Sequence, residues 1–361
     1  MNKIVIASDS FKGTLTSSEV ADSVAKAVHT VFPGCEVVKL NVADGGEGTA
    51  DAIISAREGQ PIYMSVSDPL GRTIQSSYYV LGDGTALVEM SRASGLPLLA
   101  PQERNPLKTS TYGTGQMIAH ALAAGCRRFL VGIGGSATND AGIGMLSALG
   151  FRFLDAQGQV VETNGGALSE IASIDASSVL DGLFESEFTV ACDVDSPLYG
   201  PAGAAYVFAP QKGADADMVG NLDDGLRHFA EVVGYDPEFA GAGAAGGLGY
   251  AFKAFLDARM VRGIDMVLDA VGFDKALEGT DLVITGEGRY DVQTQAGKAV
   301  HGIMSRASLR GVSVLVVAGS VETPTENVIC ASSEGGIAAA DDIEKTVIKV
   351  LEGRKNHKSL A

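Results

Sequence analysis

The stretch VGIGGSATNDAGIGMLSALG, residues 131–150, decides how the chain is read. RRFLVGIGG predicts a strand running into a glycine-rich turn, and NDAGIGMLSALG predicts a helix behind it. A strand–turn–helix exposes main-chain N–H groups at a helix start, where they and the helix dipole attract a phosphate or carboxylate. Gly132-x-Gly134-x-x-Ala137 also fits the looser dinucleotide fingerprint, with Asp155 about 20 residues on. An NAD-dependent hydroxy-acid dehydrogenase is therefore one reading. Two details weigh against it. Ser136, Thr138, Asn139 and Asp140 stand where a dinucleotide turn carries small apolar residues, and LDAQGQVVE reads as a hairpin with Asp155 at its tip. A tight turn that only packs helix on sheet is the plain alternative.

Outward from this turn, the N-terminal KIVIA (3–7) predicts a buried parallel strand. Thr16 and Glu19 form a capping box, and Val20, Val24, Val28 and Val31 recur at helical spacing until Pro33 and Gly34 stop the helix. CEVVKLNV (35–42) predicts a second strand, followed by ADGGEG and a helix to about Gly59. This β-α-β-α opening belongs to a doubly wound sheet. From Pro61 the pattern changes: PIYMSVSD, TIQSSYYVL and TALVEM, separated by PLGR and GDG, read as antiparallel strands with tight turns. A helix over 113–124, a hairpin in FRFLDAQGQVV and a strand in EFTVACDVD follow. TDLVITGEG and GVSVLVVAGS read as short buried strands that end in glycine turns. The expected fold class is α/β: a Rossmann-like doubly wound parallel sheet domain with an inserted α+β domain and a cleft between them. The first domain takes residues 1–60, about 108–150 and 262–361; the insertion takes about 61–107 and 151–261.

The 361 residues carry a formal net charge of -17, which argues against nucleic acid and anionic membrane as partners. No apolar run approaches membrane-spanning length. The four cysteines are scattered with no C-x-x-C pair, so reduced thiols and a cytoplasmic location are expected. The N-terminus enters a strand at once, leaving no room for a signal peptide.

Three strand ends carry acids: Asp44 and Glu47 in ADGGEG, Asp193 and Asp195 in ACDVDSP, Glu287 and Asp291 in TGEGRYD. Ligands of open α/β sheets lie beyond the carboxyl ends of the strands, so such acids can converge, hold Mg²⁺ or accept a proton from a hydroxyl. The alternative role of each is to cap the next helix. Lys12 in DSFKGT and Arg289 in GEGRYD are candidate cations for a moving phosphoryl group or a carboxylate. Arg72, Arg92, Lys108, Lys212 and Lys298 are weaker ones. The five histidines occupy helical or tail contexts and read as structural or surface residues. No Walker A sequence is present. Gly241-x-Gly243-x-x-Gly246 is a literal fingerprint without a strand before it.

Taken together, DSFKGTLTSSEVA, VADGGEGT, GIGGSATNDAGIGMLSALG, ACDVDSPLYGPAGAAYVFAPQKGA, GAGAAGGLGYA and DLVITGEGRYDVQTQAGK resemble, in that order, the blocks of the type-1 glycerate kinase family. The resemblance implies two α/β domains, no Walker A loop, and phosphorylation of D-glycerate by ATP and Mg²⁺, many members giving 2-phosphoglycerate. It implies small-molecule partners and leaves a homodimer open. On this reading Gly134, Gly135, Ser136, Thr138 and Asn139 hold the phosphates, with Gly286 and Gly288 lining the same crevice. Asp44, Asp193 and Glu287 are candidate Mg²⁺ ligands. Asp193 is the first candidate for the base and Asp291 the second. Lys12 and Arg289 act as catalytic cations, while Lys12, Asp44, Gly45, Gly46 and Arg72 form the substrate-binding set. A non-catalytic nucleotide sensor would not need such acids around a phosphate. After VLVVAGS the chain is shorter than the family pattern and only loosely similar to it. Ile343, Val347 and Leu351 at four-residue spacing predict a closing helix.

Overall fold

The run KIVIAS forms β1 (Lys3–Ser8), and the capping box at Thr16 starts α1 (Ser17–Val31). The Thr16 hydroxyl accepts the Glu19 N–H at 3.2 Å and the Glu19 carboxylate accepts the Thr16 N–H at 2.8 Å. Such a cap is worth about 1 kcal/mol. β2 (Glu36–Asn41) and α2 (Thr49–Arg57) follow. Next come β3 (Gln60–Ser67), β4 (Thr73–Val80), β5 (Ala86–Glu89), α3 (Ser91–Ser94), α4 (Tyr112–Ala123) and β6 (Arg128–Gly132). They lead to α5 (Ile143–Ala148), β7 (Arg152–Leu154), β8 (Ser173–Asp175), β9 (Glu187–Ala191), α6 (Ala204–Phe208), α7 (Ala216–Val233), α8 (Ala244–Leu256) and β10 (Arg259–Val261). The chain ends through α9 (Gly263–Ala270), α10 (Phe273–Ala276), β11 (Leu282–Tyr290), α11 (Ala299–Leu309), β12 (Ser313–Val321), β13 (Val328–Cys330) and α12 (Ala340–Lys358). This computed structural model describes residues 1–11, 14–43, 48–290, 299–322, 327–332 and 338–358, with side chains as far as Asn356.

Two compact units result, one of Met1–Arg57 with Gly263–Ala361 and one of Glu58–Arg262. The first carries an all-parallel sheet in the order β13-β12-β11-β1-β2. The chain winds outward from β1 to β2, then resumes on the other side of β1 with β11, β12 and β13. The winding therefore reverses between β1 and β11, the doubly wound pattern whose switch point collects ligands. α1 and α12 pack together, and α2, α9 and α11 form the other helical group. Ile343, Val347 and Leu351 of α12 are fully buried beside Val20, Val24 and Val28 of α1. The divergent C-terminal segment thus supplies the closing helix, and β13 is the short fifth strand.

The second unit carries a six-stranded sheet in the order β10-β9-β6-β5-β4-β3. β3, β4 and β5 are antiparallel neighbours, as the alternating patterns predict, whereas β5, β6, β9 and β10 run parallel. β7 and β8 form a separate small ladder. Stacked Phe129 and Phe188, 4.7 Å between ring centroids, join Phe229, Tyr250 and Phe252 in its core. The assignment of residues 108–150 to the terminal domain is corrected here. β6 pairs with β5 on one side and β9 on the other, and these hydrogen bonds place the glycine-rich turn in the Glu58–Arg262 unit. Among the described residues, no helix is long and apolar enough to cross a membrane.

Candidate active site

β6 and β9 are parallel neighbours in register, Gly132 opposite Ala191. The turn that begins at Ile133 and the loop that begins at Cys192 therefore leave the sheet side by side, at its carboxyl end. Residues 133–137 do not enter a helix. They make a tight turn at 134–135, with Gly135 left-handed (φ 74°), and then pair with 94–96: the Leu96 N–H donates to the Gly135 carbonyl and the Ala137 N–H to the Ser94 carbonyl, both at 2.9 Å. α5 starts only at Ile143, after Gly142 in the left-handed conformation (φ 76°). Glycines at 142 and 144 and the pairing with residues 94–96 outcompete the predicted helix over 139–142. The dinucleotide reading fails on this point, because its pyrophosphate needs a helix N-terminus at the turn. Asp155, its supposed ribose contact, caps a hairpin turn by accepting the N–H groups of Gln157 and Gln159 at 2.8 Å.

The turn has an open tip and a buried floor. Gly134 and Gly135 are exposed, and a Cβ on Gly134 would meet nothing within 4 Å. The amides of Gly134, Gly135 and Ser136 donate no hydrogen bond to any described residue. They form a row of donors open to an approaching anion. Beneath them Thr138, Asn139 and Asp140 are fully buried. The Asp140 carboxylate accepts four bonds, from the Thr111 N–H and hydroxyl at 2.7 Å and from the N–H groups of Gly142 and Gly144 at 3.2 and 3.3 Å. Burial pushes its carboxyl up from the usual range, and these four donors pull it back down. Two glycines wall the floor. A Cβ on Gly165 would lie 2.9 Å from the Asn139 carbonyl oxygen, and one on Gly246 would lie 2.1 Å from that of Thr138. The second literal fingerprint, Gly241 to Gly246, is thus a buttress for the first. Thr138 Oγ1 and both side-chain polar atoms of Asn139 have no hydrogen-bond partner among the described residues. Buried polar atoms left in that state ordinarily mark a position completed by a ligand or by water.

Lys212, a weaker candidate cation by sequence, lies directly under the turn. It is buried, with Nζ 2.7 Å from Ser136 Oγ and 2.7 Å from the Thr138 carbonyl oxygen. Desolvation lowers its pKa to about 7, against the opposing pull of Asp140. Nothing in FAPQKGA distinguishes this lysine from a solvated loop residue. Its placement follows from the tertiary packing of 210–213 against 136–138. Asp193 and Asp195 are exposed on the loop after β9.

In the other unit, the carboxyl end of β1 lies at the switch point. A pocket of about 690 Å³ opens on the β2 side of that strand end, lined by Asp9, Ser10 and Phe11, by the start of α1 from Thr16 to Glu19, and by Asn41 at the end of β2. The Ser17 hydroxyl donates to the Ser8 carbonyl at 2.5 Å and ties α1 to the strand end. The expected glycine turn at 286–288 is corrected: β11 continues unbroken to Tyr290, with Arg289 opposite Ser320 of β12. Gly286 stands where the strand is tightly packed. A Cβ on Gly286 would stand 2.6 Å from the Val317 carbonyl oxygen and 3.1 Å from Ser8 Oγ. Glu287 is nearly buried in that strand, while Arg289 is exposed and ion-paired with Glu322. Arg72 is held by Asp68 at 2.5 Å and Glu103 at 2.6 Å, so its charge is committed to the β3–β4 turn. Lys12, Asp44, Gly45, Gly46 and Asp291 lie outside the described residues.

Among the described residues no three His, Cys, Asp or Glu side chains cluster as a protein-only metal cage. Mg²⁺ does not require one. It is commonly held by one or two carboxylates, waters and the substrate's own phosphates. The exposed Asp193 carboxylate, on the loop that leaves the sheet next to that turn, fits that donor set.

The model of the glycerate kinase family matches residues 4–358. Glycerate kinase of Bacillus subtilis is 48% identical over 325 residues, covering 88% of this chain and 85% of that one. Glycerate 2-kinase of Escherichia coli is 43% identical with the same coverages. A crystal structure described as a glycerate kinase 2, from Salmonella typhimurium LT2, superposes with a TM-score of 0.87 at 40% identity, covering 99% of each chain. Similarity of this extent, over both units and every block quoted above, places the chain in the glycerate kinase family.

Proposed function

We propose that the protein transfers the γ-phosphoryl group of ATP to the 2-hydroxyl of D-glycerate, giving ADP and 2-phosphoglycerate. The observation that carries this reading is the open tip at Gly134, Gly135 and Ser136, set beside the Asp193 loop at the carboxyl ends of two paired strands. The name of the Escherichia coli relative supports the 2-position.

Phosphoryl transfer is mainly positioning and charge neutralisation. The tip amides and the Ser136 hydroxyl bind phosphate oxygens of ATP. The buried floor keeps them in place, so no reorganisation is needed as charge develops. Asp193 accepts the proton of the glycerate hydroxyl as its oxygen attacks the γ-phosphorus and the bond to the β-phosphate oxygen breaks. Asp291 is the second candidate for that role. Lys12 and Arg289 neutralise the glycerate carboxylate or the moving phosphoryl group. Asp44, Gly45, Gly46 and Arg72 complete the substrate set, and Gly286 and Gly288 the phosphate set, by the family resemblance. Asp44, Asp193 and Glu287 are the candidate ligands of a bound Mg²⁺, which would screen the phosphate charges.

³¹P NMR of the product from D-glycerate and Mg-ATP tests the reading. Phosphorus on C2 couples to one proton and gives a doublet. A triplet would place the phosphate on C3, and no consumption of ATP would remove the proposal. Asp193→Asn should lower kcat by about 10²–10⁴-fold with ATP affinity nearly intact. If only ATP or Mg²⁺ binding weakens, Asp193 is a ligand and not the base. Lys12→Ala should fold normally and lose on the order of 10³-fold in turnover, by analogy with arginine fingers.

A further inference from the structure

Lys212 does not reach the surface of the turn, yet it touches the residue that does. It ends the short turn Pro210–Lys212 and sends its ammonium under the tip. A charged lysine has three donors and no acceptor, whereas a serine hydroxyl has one donor and two acceptor positions. In its protonated form Lys212 donates from Nζ to Ser136 Oγ at 2.7 Å, as it donates to the Thr138 carbonyl. The Ser136 proton is then left over, and no described residue accepts it. Ser136 is 8% exposed at the edge of the open tip, so that proton is available to a bound oxyanion.

We propose that Lys212 is a positioning residue of the phosphate-holding turn: its ammonium occupies the acceptor side of Ser136 and commits the hydroxyl to donate to a phosphate oxygen of ATP. The same ammonium locks the Thr138 carbonyl and fixes the tip relative to its floor. This rests on the reading that the turn holds the phosphates of ATP, and the experiment separates the two.

The test compares Ser136→Ala, Lys212→Met and the double variant in the full-length enzyme. It measures binding of a non-hydrolysable ATP analogue by calorimetry and KM for both substrates. Each single variant should weaken analogue binding by about 10- to 100-fold, the loss expected for one charge-assisted hydrogen bond. KM for D-glycerate should stay within about twofold. Because Lys212 acts through Ser136, the double variant should lose little more than the worse single one. Should Lys212→Met not fold, Lys212→Gln, which keeps a donor for Thr138, takes its place and should lose affinity equally. If Ser136→Ala weakens the analogue while the Lys212 variants do not, or if the two losses multiply, the positioning role is overturned and the phosphate site stands. If Ser136→Ala leaves the analogue unaffected, the phosphate-site reading falls and the positioning role with it.

Discussion

A buried ammonium has consequences for stability as well as binding. Lys212 has its pKa lowered to about 7 from an ordinary value of 10.5, chiefly by desolvation. Between these two values the unfolded chain holds a proton that the folded chain has released. Stability therefore rises with pH through that window, and the cost of burying the charge is complete only below about pH 7. Lys212→Met removes the titration. Its melting temperature relative to the parent should be most favourable at pH 6 and should lose ground steadily toward pH 9. A difference that stays flat with pH, measured by calorimetry in matched buffers, would mean that Lys212 is not buried as described. Asp140 offers a second check at this scale. Asp140→Asn replaces an acceptor of four bonds by a group that must turn an N–H toward donors. Breaking a buried charged network typically costs about 3–5 kcal/mol. A loss under about 1 kcal/mol, the size of a surface effect, would show that the floor does not depend on it.

The floor itself belongs to no single element. It is built where α8's glycine-rich start, the turn after β6 and the loop 164–167 meet, so glycine identity there is a packing demand. Gly246 and Gly234 both have φ 70°, but a Cβ on Gly246 would strike the Thr138 carbonyl at 2.1 Å, while one on Gly234, at the end of α7, meets nothing within 4 Å. Gly234→Ala should cost about 1–2 kcal/mol, the left-handed penalty alone. Gly246→Ala should cost more and also raise KM for ATP, because it displaces the carbonyl that Lys212 holds. Equal costs in urea unfolding would show that the wall is soft. The contrast also shows what the sequence made legible. α1 and α12 were readable from Val20, Val24 and Val28 and from Ile343, Val347 and Leu351, because helical burial leaves a four-residue period. The antiparallel β3 and β4 were readable from alternation and from turn residues at 69–72. The turn expected at 286–288 was misread because a glycine needed for close packing, such as Gly286, is spelled like one needed for a turn. The placement of Lys212 depends on contacts across about 75 residues of chain, and that of Asn139 on Gly165 and Gly246, which no local pattern records.

At the scale of the molecule, an entire sheet is inserted into a doubly wound unit between α2 and α9. β3 and β10, the first and last strands of the insertion, lie at opposite edges of that sheet, and every strand between them has both partners inside it. The hydrophobic core of the insertion likewise draws its residues from within Glu58–Arg262. A chain with complete ladders and its own core has what independent folding requires. The fragment 58–262 should therefore fold alone and melt cooperatively. If the tip at Gly134–Ser136 holds phosphates, that fragment should also gain stability from inorganic tripolyphosphate, by the mass-action shift of a ligand that binds only the folded state. Ser136→Ala in the fragment should abolish the shift. The fragment should not phosphorylate D-glycerate, because Lys12, Asp44 and Asp291 belong to the segments it lacks. A fragment that folds but ignores tripolyphosphate would move the phosphate site away from the turn, and the pocket at the carboxyl end of β1 would become the place to look for it. A fragment that does not fold would mean that the ladders and core of the insertion are insufficient without the segments on either side.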